Sequence, residues 1–396
     1  MLVDDRSAET WSAGHGNSDR RRPVVLFVSA VAERKGGAET VLIDMLRNPA
    51  IQPVLAVPGH GQLAATAVRL GVPVEHYDLG AIASVRRPLR AADALRAAAD
   101  AVRAARRITA IAAGAGADVV HTNGLKAHMI GCFARLLHGT PLLVHQHDVP
   151  YTAAERAIWR FFLSASRRTI AANGLCLPLH GRRAGRRAGI VLQGLADEPA
   201  SSERSLPPRP VLGFVGRIHP FKGLHLLLQW FEAAAERHRN LVLLVRGDVA
   251  PEGAEYWAGL QGRLGPLVAA GRCRVEGWRP LGEDPLAGID ILAAPSAMPE
   301  AGPRVIMEAM VRGIPPIGAM TGGALQMIPT SDFGGKAGDR DSFLAELERL
   351  LDPGTYALVS AAALVYARST FGVERFWRDM NAEYRAMLGA AWVAAA

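Results

Sequence analysis

Two glutamates in the last quarter of the chain, Glu300 and Glu308, have the type and spacing needed to bind a polyol. Seven residues separate them, and they stand in the loop and helix that follow an apolar strand at 289–294. A carboxylate accepts two hydroxyl hydrogen bonds at once, which suits the vicinal diol of a sugar or ribose. If the helix begins near Arg304, its free backbone N–H groups face the same crevice and favour an anion. The stretch from Ala293 to Gly323 is therefore expected to hold a phosphate and a polyol together.

Two cations stand in the turn GRIHPFKG, at the start of the second half of the chain. Arg217 and Lys222 follow Gly216 in this turn and precede a helix that the pattern predicts at 224–235. At the mouth of a strand–helix turn, two cations would neutralise a diphosphate without a metal ion. The alternative is an ordinary solvated Arg and Lys, which the flanking glycines disfavour.

A second glycine turn lies near the amino terminus. A buried strand at 23–30 leads through Gly36 and Gly37 into a helix with apolar positions on one side. Strand, glycine turn and helix together let backbone amides approach a phosphate. Glycines at a helix start are also ordinary turn formers, so this motif alone is weak.

Polar side chains end two further apolar strands in the first half. They are His121, Asn123, His145, His147 and Asp148. In open parallel sheets, ligands bind at the carboxyl edge, where strands end. The alternative for any one histidine is a hydrogen-bonded core residue, but two strands that end alike favour a site.

Length and composition predict an α/β protein of two domains in a reducing compartment. The chain has 396 residues, too many for one ordinary domain, and strands alternate with helices. No run of eighteen apolar residues occurs, so no membrane span is expected. Residues 1–22 are polar and predict a disordered leader, and 197–210 has the composition of a linker. Three isolated cysteines without metal-ligand spacing predict no structural zinc.

The net charge of +8 is concentrated in arginine clusters of the first half. They comprise Arg86, Arg87, Arg90, Arg96, Arg103, Arg106, Arg107, Arg167, Arg168 and the doubled RRAG from Arg182 to Gly189. Aromatic residues for base stacking are not interleaved with them, which disfavours nucleic acid. Arg96, Arg103 and Arg107 share one helical stripe, which suits an anionic membrane surface. A solvated face is an equally good reading.

Taken in order, these motifs resemble family 4 of the glycosyltransferases, retaining enzymes with the GT-B fold. The resemblance rests on Gly36 to Glu39, on Gly216-Arg217 with Lys222-Gly223, on Val275 to Gly277, on Pro295-Ser296, and on Glu300-x7-Glu308. It implies two Rossmann-like doubly wound domains that face each other across a cleft. The acceptor domain would span 23–196 and the nucleotide-sugar domain 211–370. Residues 371–396 would form a helix that crosses back to the first domain.

The resemblance also implies roles for the matching residues. Arg217 and Lys222 would hold the diphosphate of a nucleotide-sugar donor and stabilise the leaving group, with no metal ion or cofactor. Glu300 would bind the sugar hydroxyls and Glu308 the ribose diol. The remaining donor-binding positions would be Gly36, Gly37, Asn123, Gly216, Gly277 and Gly302. His147 would contact the acceptor.

Three positions depart from the family pattern. The usual Pro-Phe-Gly after the first glutamate is here Ala301-Gly302-Pro303, and proline has no N–H to offer a ligand. Asn123 replaces a frequent histidine, and an amide can bind a hydroxyl but cannot take a proton. The downstream Gly-Gly-x-x-Glu ends in Gln326.

The function expected is retaining transfer of a sugar from a UDP or GDP donor to a saccharide, lipid-linked or small-molecule hydroxyl. Envelope polysaccharide, glycolipid or glycosylated metabolite synthesis would use it, in the cytoplasm, with the inner membrane face as a further partner. The first alternative is a non-catalytic or regulatory binding protein of the same fold. A second is a nucleotide-sugar epimerase, which would need an additional acid–base pair of carboxylates. A third is nucleic-acid binding through the arginines, whose signature would be salt-sensitive affinity.

Overall fold

The computed structural model describes residues 22–33, 36–84, 91–176, 187–196, 204–249, 253–279, 283–389 and 392. The predicted leader, apart from Arg22, lies outside the described residues, as does the part of the predicted linker at 197–203. Arg86, Arg87, Arg90 and residues 182–186 of the doubled RRAG also lie outside them, and Arg96 is described for its backbone alone.

The first domain is built on a parallel sheet whose described part has seven strands. They are β1 (Val24–Ser29), β2 (Gln52–Val57), β3 (Val74–His76), β4 (Val119–Asn123), β5 (Leu142–Gln146), β6 (Arg168–Ala171) and β7 (Ala188–Ile190). Their order across the sheet is β3-β2-β1-β4-β5-β6-β7. The helices are α1 (Gly37–Leu46), α2 (Gln62–Arg69), α3 (Ala91–Gly114), α4 (Leu125–His138) and α5 (Ala153–Ala165), with a 3-10 turn at Gly80–Ser84. Strands β1, β4 and β5 are buried along their whole length, since helices cover both faces.

The second domain repeats the architecture with six strands in its described part. They are β8 (Val211–Val215), β9 (Val242–Arg246), β10 (Cys273–Glu276), β11 (Ile291–Ala294), β12 (Pro316–Ala319) and β13 (Gly335–Ala337). The order β10-β9-β8-β11-β12-β13 reverses direction beside β8, as in doubly wound nucleotide-binding sheets. The helices are α6 (Leu224–Arg237), α7 (Ala254–Ala269), α8 (Arg304–Met310), α9 (Ala324–Met327), α10 (Arg340–Leu351) and α11 (Pro353–Phe371). Short 3-10 turns lie at Pro220–Lys222 and Ser331–Phe333. The predicted fold class, two Rossmann-like α/β domains, is confirmed.

The last helix, α12 (Val373–Leu388), packs against the first domain. Phe376, Met380 and Tyr384 are fully buried in the core that β1 and α1 build. Polar contacts reinforce this packing, because the Asn48 amide donates to Asn381 Oδ1 at 2.8 Å. Helix α12 therefore forms part of the hydrophobic core of the first domain.

Several predicted strand bounds differ from the structure. The run Ile190–Gln193 predicts a strand, but β7 comprises Ala188–Ile190. The run at 72–77 also predicts a strand, but β3 comprises only Val74–His76. Val191 N–H still donates to the Ala171 carbonyl oxygen of β6 at 3.0 Å, whereas Val72 N–H donates to the Ala67 carbonyl oxygen in the last turn of α2 at 3.0 Å. Apolar runs alone cannot distinguish the two situations.

The arginine stripe on α3 is partly neutralised by the domain itself. Arg103 pairs with Asp100, and Arg107 pairs with Glu75 at 3.2 Å while also donating to the His76 carbonyl oxygen. Two of the three predicted membrane-facing cations therefore already have partners within the protein.

No single helix in the described ranges is long and apolar enough to cross a membrane. Helices α10 and α11 together reach the required length and composition, but they are bent by 96° where they meet.

Candidate active site

Lys222 and Glu300 are brought into direct contact at the cleft. The Lys222 ammonium pairs with Oε2 of Glu300, and the Ser296 hydroxyl donates to Oε1 of the same carboxylate. Both side chains are partly buried, with 28% of Lys222 and 23% of Glu300 exposed. The cation predicted for a diphosphate and the carboxylate predicted for sugar hydroxyls thus form one charged centre.

The turn that carries Lys222 requires a glycine behind it. Gly223 has φ +73°, and a β-carbon there would lie 2.0 Å from the carbonyl oxygen of Pro295. Any other residue would push this turn away from the 295–300 loop, and Lys222 would move away from Glu300. The glycine framing read from the sequence therefore has a steric cause.

Arg217 stands at the start of the same turn and is exposed. Its side chain makes no hydrogen bond or ion pair with the described parts of the chain. Burial raises the pKa of the Asp148 carboxyl in the first domain, and the positive charge of Arg217 partly opposes this rise. Arg217 therefore lies near enough to the first domain to act on one of its carboxyl groups. A free guanidinium in this place is available to an anionic ligand.

The loop that carries Glu300 is held by hydrogen bonds from both domains. Gly323 N–H donates to the Glu300 carbonyl oxygen at 2.7 Å from within the second domain. From the first domain, the Asn173 amide donates to the Ala301 carbonyl oxygen and the Tyr151 hydroxyl to that of Pro299. Burial and the nearby Glu300 carboxylate raise the pKa of Tyr151, so its hydroxyl keeps its proton. The position of Glu300 therefore depends on contacts from both domains.

Glu308, the second predicted carboxylate, is paired with Arg304 one turn earlier on α8, at 2.9 Å. The same guanidinium contacts Asp44 on α1 at 2.8 Å and donates to the Gly194 carbonyl oxygen at 2.9 Å. Although burial opposes its charge, Asp44 and Glu308 raise the pKa of Arg304 above its ordinary value. Arg304 thus orients Glu308 and joins the two domains.

The amino-terminal glycine turn faces this arginine across the cleft. Gly36 and Gly37 are exposed at the start of α1, and a β-carbon at Gly37 would lie 4.0 Å from that of Arg304. The backbone of Gly36 and Gly37 is thus open to the cleft, where a ligand held between the domains would lie.

Asn123 and His147 form a hydrogen-bonded pair beside the same turn. Nδ2 of Asn123 donates to the Ala38 carbonyl oxygen at 3.2 Å, which places Oδ1 toward His147 Nε2 at 2.6 Å. Because an amide oxygen only accepts, His147 Nε2 carries the proton and Nδ1 is the acceptor atom. Nδ1 is enclosed and has no partner among the described residues. Burial lowers the pKa of His147 to about 4, so the ring is neutral near pH 7.

His121 and His145 belong to the core rather than to the cleft surface. Both are about 1% exposed, and His121 connects the Tyr384 hydroxyl, at 2.6 Å, to His145 Nδ1, at 3.2 Å. Burial lowers the pKa of His121 to about 3 and that of His145 well below its usual range. His121 and His145 are therefore hydrogen-bonded core residues, which was the alternative to a site at these strand ends.

The strand ends that carry Gly216 and Gly277, two of the predicted donor-binding positions, lie at one edge of the second sheet. Gly277 is exposed behind β10, next to Trp278, whose side chain is 52% exposed. Gly216 N–H donates to the Arg246 carbonyl oxygen at 3.0 Å, which brings the glycine turn of β8 to the same edge. Backbone groups at this edge can therefore contact a base laid across it.

The Ala301-Gly302-Pro303 segment leads directly into α8. Pro303 precedes the first helical residue, and its carbonyl oxygen accepts from Ile306 N–H at 2.9 Å. Gly302 approaches the first domain, because a β-carbon there would lie 3.6 Å from Nε2 of Gln193. The departure from the family pattern therefore falls where the two domains meet.

A family match covers most of the second domain. Residues 209–353 match the family described as "Glycosyl transferases group 1". The second domain is therefore similar to the group 1 glycosyl transferases. The matched segment contains four of the predicted site residues: Arg217, Lys222, Glu300 and Glu308.

The whole fold is that of GT-B glycosyltransferases. HepE of Anabaena in complex with UDP superposes with a TM-score of 0.75 at 20% identity, covering 91% of this chain and 99% of that chain. Sucrose-phosphate synthase of Thermosynechococcus elongatus gives 0.72 at 16% identity, covering 93% and 100%. At these identities the likeness concerns the fold alone.

A curated relative matches over a shorter stretch. The D-inositol 3-phosphate glycosyltransferase of Corynebacterium jeikeium is 32% identical over 150 residues. The aligned stretch covers 36% of this chain and 34% of that relative. The predicted resemblance to the group 1 (family 4-like) GT-B glycosyltransferases is confirmed by these comparisons.

Sequence reasoning missed the residues that connect the second domain to the first domain. They are Asp44, Tyr151, Asn173, Gln193 and Arg304. Arg304 carried a signal, because its spacing of four from Glu308 predicts a helical ion pair. Asn173 and Tyr151 act on backbone carbonyl groups far away in sequence, and no local pattern indicates such contacts.

Proposed function

We propose that this protein is a retaining glycosyltransferase that moves a sugar from a nucleotide-diphosphate sugar to an acceptor hydroxyl, in the cleft between its domains. The observation that carries the proposal is the Lys222–Glu300 centre, which lies within the segment matching the glycosyl transferase family. A cation and a carboxylate in contact suit the junction between a diphosphate and a sugar.

The donor would lie along the edge from Gly277 to Glu300. The base would contact the exposed strand end at Gly277, and the ribose diol would bind the carboxylate of Glu308. Arg217 and Lys222 would contact the diphosphate, with the backbone of Gly37 approaching from the other domain. UDP is the first donor nucleotide to test, since HepE was crystallised with UDP and with UDP-glucose, and GDP is the second.

The chemistry would proceed by attack on the face from which the diphosphate leaves. The acceptor oxygen bonds to the anomeric carbon as the carbon–oxygen bond to the diphosphate breaks. The acceptor proton passes to the departing phosphate oxygen. Arg217 and Lys222 stabilise the negative charge that develops there, so positioning and electrostatics supply the catalysis without a metal ion or cofactor.

His147 would contact the acceptor through a neutral ring. Its Nε2–H donates to Asn123 Oδ1 and its Nδ1 is enclosed, so the contact would be made by the ring itself rather than by proton transfer. The proposed acceptors are a saccharide, a lipid-linked saccharide or a small molecule, in envelope polysaccharide, glycolipid or metabolite synthesis. The proposed location is the cytoplasm, with the inner membrane face as a further partner.

A binding screen with the full chain tests this function. We expect UDP, GDP or ADP, or one of their nucleotide sugars, to raise Tm. The nucleotide sugar that binds should then support sugar transfer or be hydrolysed. Lys222→Ala should lower turnover by about a hundredfold or more, because one charge contact to the leaving group is lost. Arg239→Gln, an exposed arginine of the same domain, is the matched control. Normal turnover in Lys222→Ala would contradict the phosphate assignment.

A non-catalytic binding protein is the second candidate. Pro303 favours it, since proline stands where relatives offer a backbone donor beside the sugar site. Binding of a nucleotide sugar without transfer or hydrolysis of any donor would select this candidate.

A further inference from the structure

A pocket lined by arginines lies at the opposite edge of the first sheet from the candidate active site. Arg167 and Arg187 stand directly before β6 and β7, two adjacent parallel strands, and Thr169 N–H donates to the Arg187 carbonyl oxygen at 2.8 Å. Arg135 reaches the same place from the last turns of α4. His147 and Asn123 follow or end strands at the other edge. The pocket is therefore distinct from the cleft.

The cavity is small and has a polar wall. Its volume is about 280 Å³, and it is lined by Arg135, Ser166, Arg167, Arg168, Arg187, Ala386 and Met387. That volume lies just under the range of about 300 to 1,000 Å³ typical of drug-sized ligands. It suits a group no larger than a small phosphorylated molecule or a lipid headgroup.

Three of its four guanidinium groups have no partner within the described residues. Arg168 is neutralised by Glu383 of α12, whereas the side chains of Arg135, Arg167 and Arg187 make no hydrogen bond or ion pair there. Burial, and then the charges of Arg167 and Arg187, lower the pKa of Arg135. The protein thus holds like charges together, which destabilises it unless an anion joins them.

We propose that this pocket binds a phosphate group, supplied either by a small soluble molecule or by the headgroup of an anionic lipid. Guanidinium groups arranged around a cavity match the geometry of phosphate oxygens, which accept paired N–H donors. The proposal accounts for the second copy of the RRAG repeat, whose Arg187 the donor site does not use.

Binding of inorganic phosphate to the full chain, at constant ionic strength, tests the site. We expect wild type to bind phosphate and gain thermal stability, and Arg135→Gln/Arg167→Gln/Arg187→Gln to bind at least about tenfold more weakly. Without phosphate, the triple variant should melt at the same temperature as wild type or higher, because a repulsion has been removed. Arg239→Gln and Arg274→Gln, two exposed arginines of the second domain, are the matched controls.

Vesicles of phosphatidylcholine, with and without phosphatidylglycerol, distinguish the source of the phosphate. Co-sedimentation with the anionic vesicles alone, lost in the triple variant, assigns the site to a lipid headgroup. Phosphate binding without co-sedimentation assigns it to a soluble ligand. Equal phosphate and vesicle binding by wild type and the triple variant would overturn the proposal, as would a triple variant that melts well below wild type.

Discussion

At the scale of single residues, the contact between Lys222 and Glu300 has two opposing consequences. It places a cation and a carboxylate where a donor's phosphate and sugar would meet. It also means that a bound diphosphate must compete with Glu300 for the Lys222 ammonium. The two groups are only partly buried, so their attraction is modest and a stronger anion can replace it.

Glu300→Gln should therefore change binding and turnover in opposite directions. We expect nucleotide diphosphate to bind a few-fold more tightly, because about 1 kcal/mol of competing attraction is removed. Transfer should fall by about a hundredfold, since the sugar loses its carboxylate. Calorimetry with UDP and initial-rate assays would measure the two effects. Weaker UDP binding in Glu300→Gln would show that the carboxylate supports the phosphate site rather than competing with it.

Asn173 allows a selective test of the contact between the first domain and the Glu300 loop. Its Oδ1 accepts from Leu175 N–H at 2.8 Å, and its Nδ2 donates to the Ala301 carbonyl oxygen. Asn173→Asp keeps the acceptor and removes the donor. We expect a loss of about 1–3 kcal/mol in kcat/KM for the donor, and a lower Tm as well, because the new carboxylate is buried opposite the Ala301 carbonyl oxygen.

Tyr151→Phe is the companion variant, since it removes the other hydrogen bond to the loop. If the losses in kcat/KM add in the double variant, the two hydrogen bonds act independently. A combined loss smaller than the sum would indicate that the two hydrogen bonds hold the loop together as one unit. A normal donor KM and kcat in both single variants would remove the loop-positioning role.

At the scale of elements, α12 is anchored by polar contacts in an otherwise apolar interface. The Tyr384 hydroxyl meets His121 at 2.6 Å, and Trp377 Nε1 donates to the Asp44 carbonyl oxygen at 2.8 Å. Asp44 is also the residue that pairs with Arg304. The terminal helix therefore supports the same point of α1 that the second domain contacts.

Tyr384→Phe should destabilise the protein by about 1–3 kcal/mol, because a buried ring nitrogen of His121 loses its partner. Arg378→Ala is the control, since Arg378 lies on the exposed side of the same helix with 74% of its side chain exposed. Urea unfolding measures both variants. Equal stability of Tyr384→Phe and wild type would show that the hydroxyl contact adds nothing to the apolar packing.

At the scale of the whole molecule, the buried imidazoles of the first domain make stability depend on pH. The pKa is lowered to about 3 for His121 and about 4 for His147, and well below its usual value for His128 and His145. Burial is the first cause in each case. Unfolding returns each ring to a pKa near 6.5. Below that pH the unfolded chain therefore binds protons at these rings, whereas the folded chain keeps them neutral.

The free energy of unfolding should consequently fall as pH drops from 6.5 toward 4 and be insensitive to these groups above 6.5. Urea unfolding between pH 5 and 7.5 measures this before most carboxylates titrate. His60→Gln, at an exposed position, should leave the dependence of the unfolding free energy on pH unchanged. His128→Gln should make that dependence less steep, because one of the four contributing rings is removed. A profile that is level from pH 7 to pH 5 would contradict the buried neutral state.

Much of the site was predictable, because its parts are local in sequence. Lys222 and its glycines form one turn, and Glu300 and Glu308 lie in a single loop and helix. The sign of each charge and the strand–turn–helix setting follow from such short segments. These short segments do not reveal which group each side chain pairs with. Lys222 and Glu300, for example, are paired although 78 positions separate them in the sequence.

The sequence by itself determined two parallel-sheet domains and predicted the charged residues of the candidate site. Apolar runs and glycine turns act over a few residues, and their physical effect is local. Only the tertiary structure decided that Asn173 and Tyr151 hold the Glu300 loop, that Arg304 joins Asp44 to Glu308, and that Arg135, Arg167 and Arg187 share a pocket. Each of these depends on which strand edges and helix ends meet in space, and that is set by the packing of the whole chain.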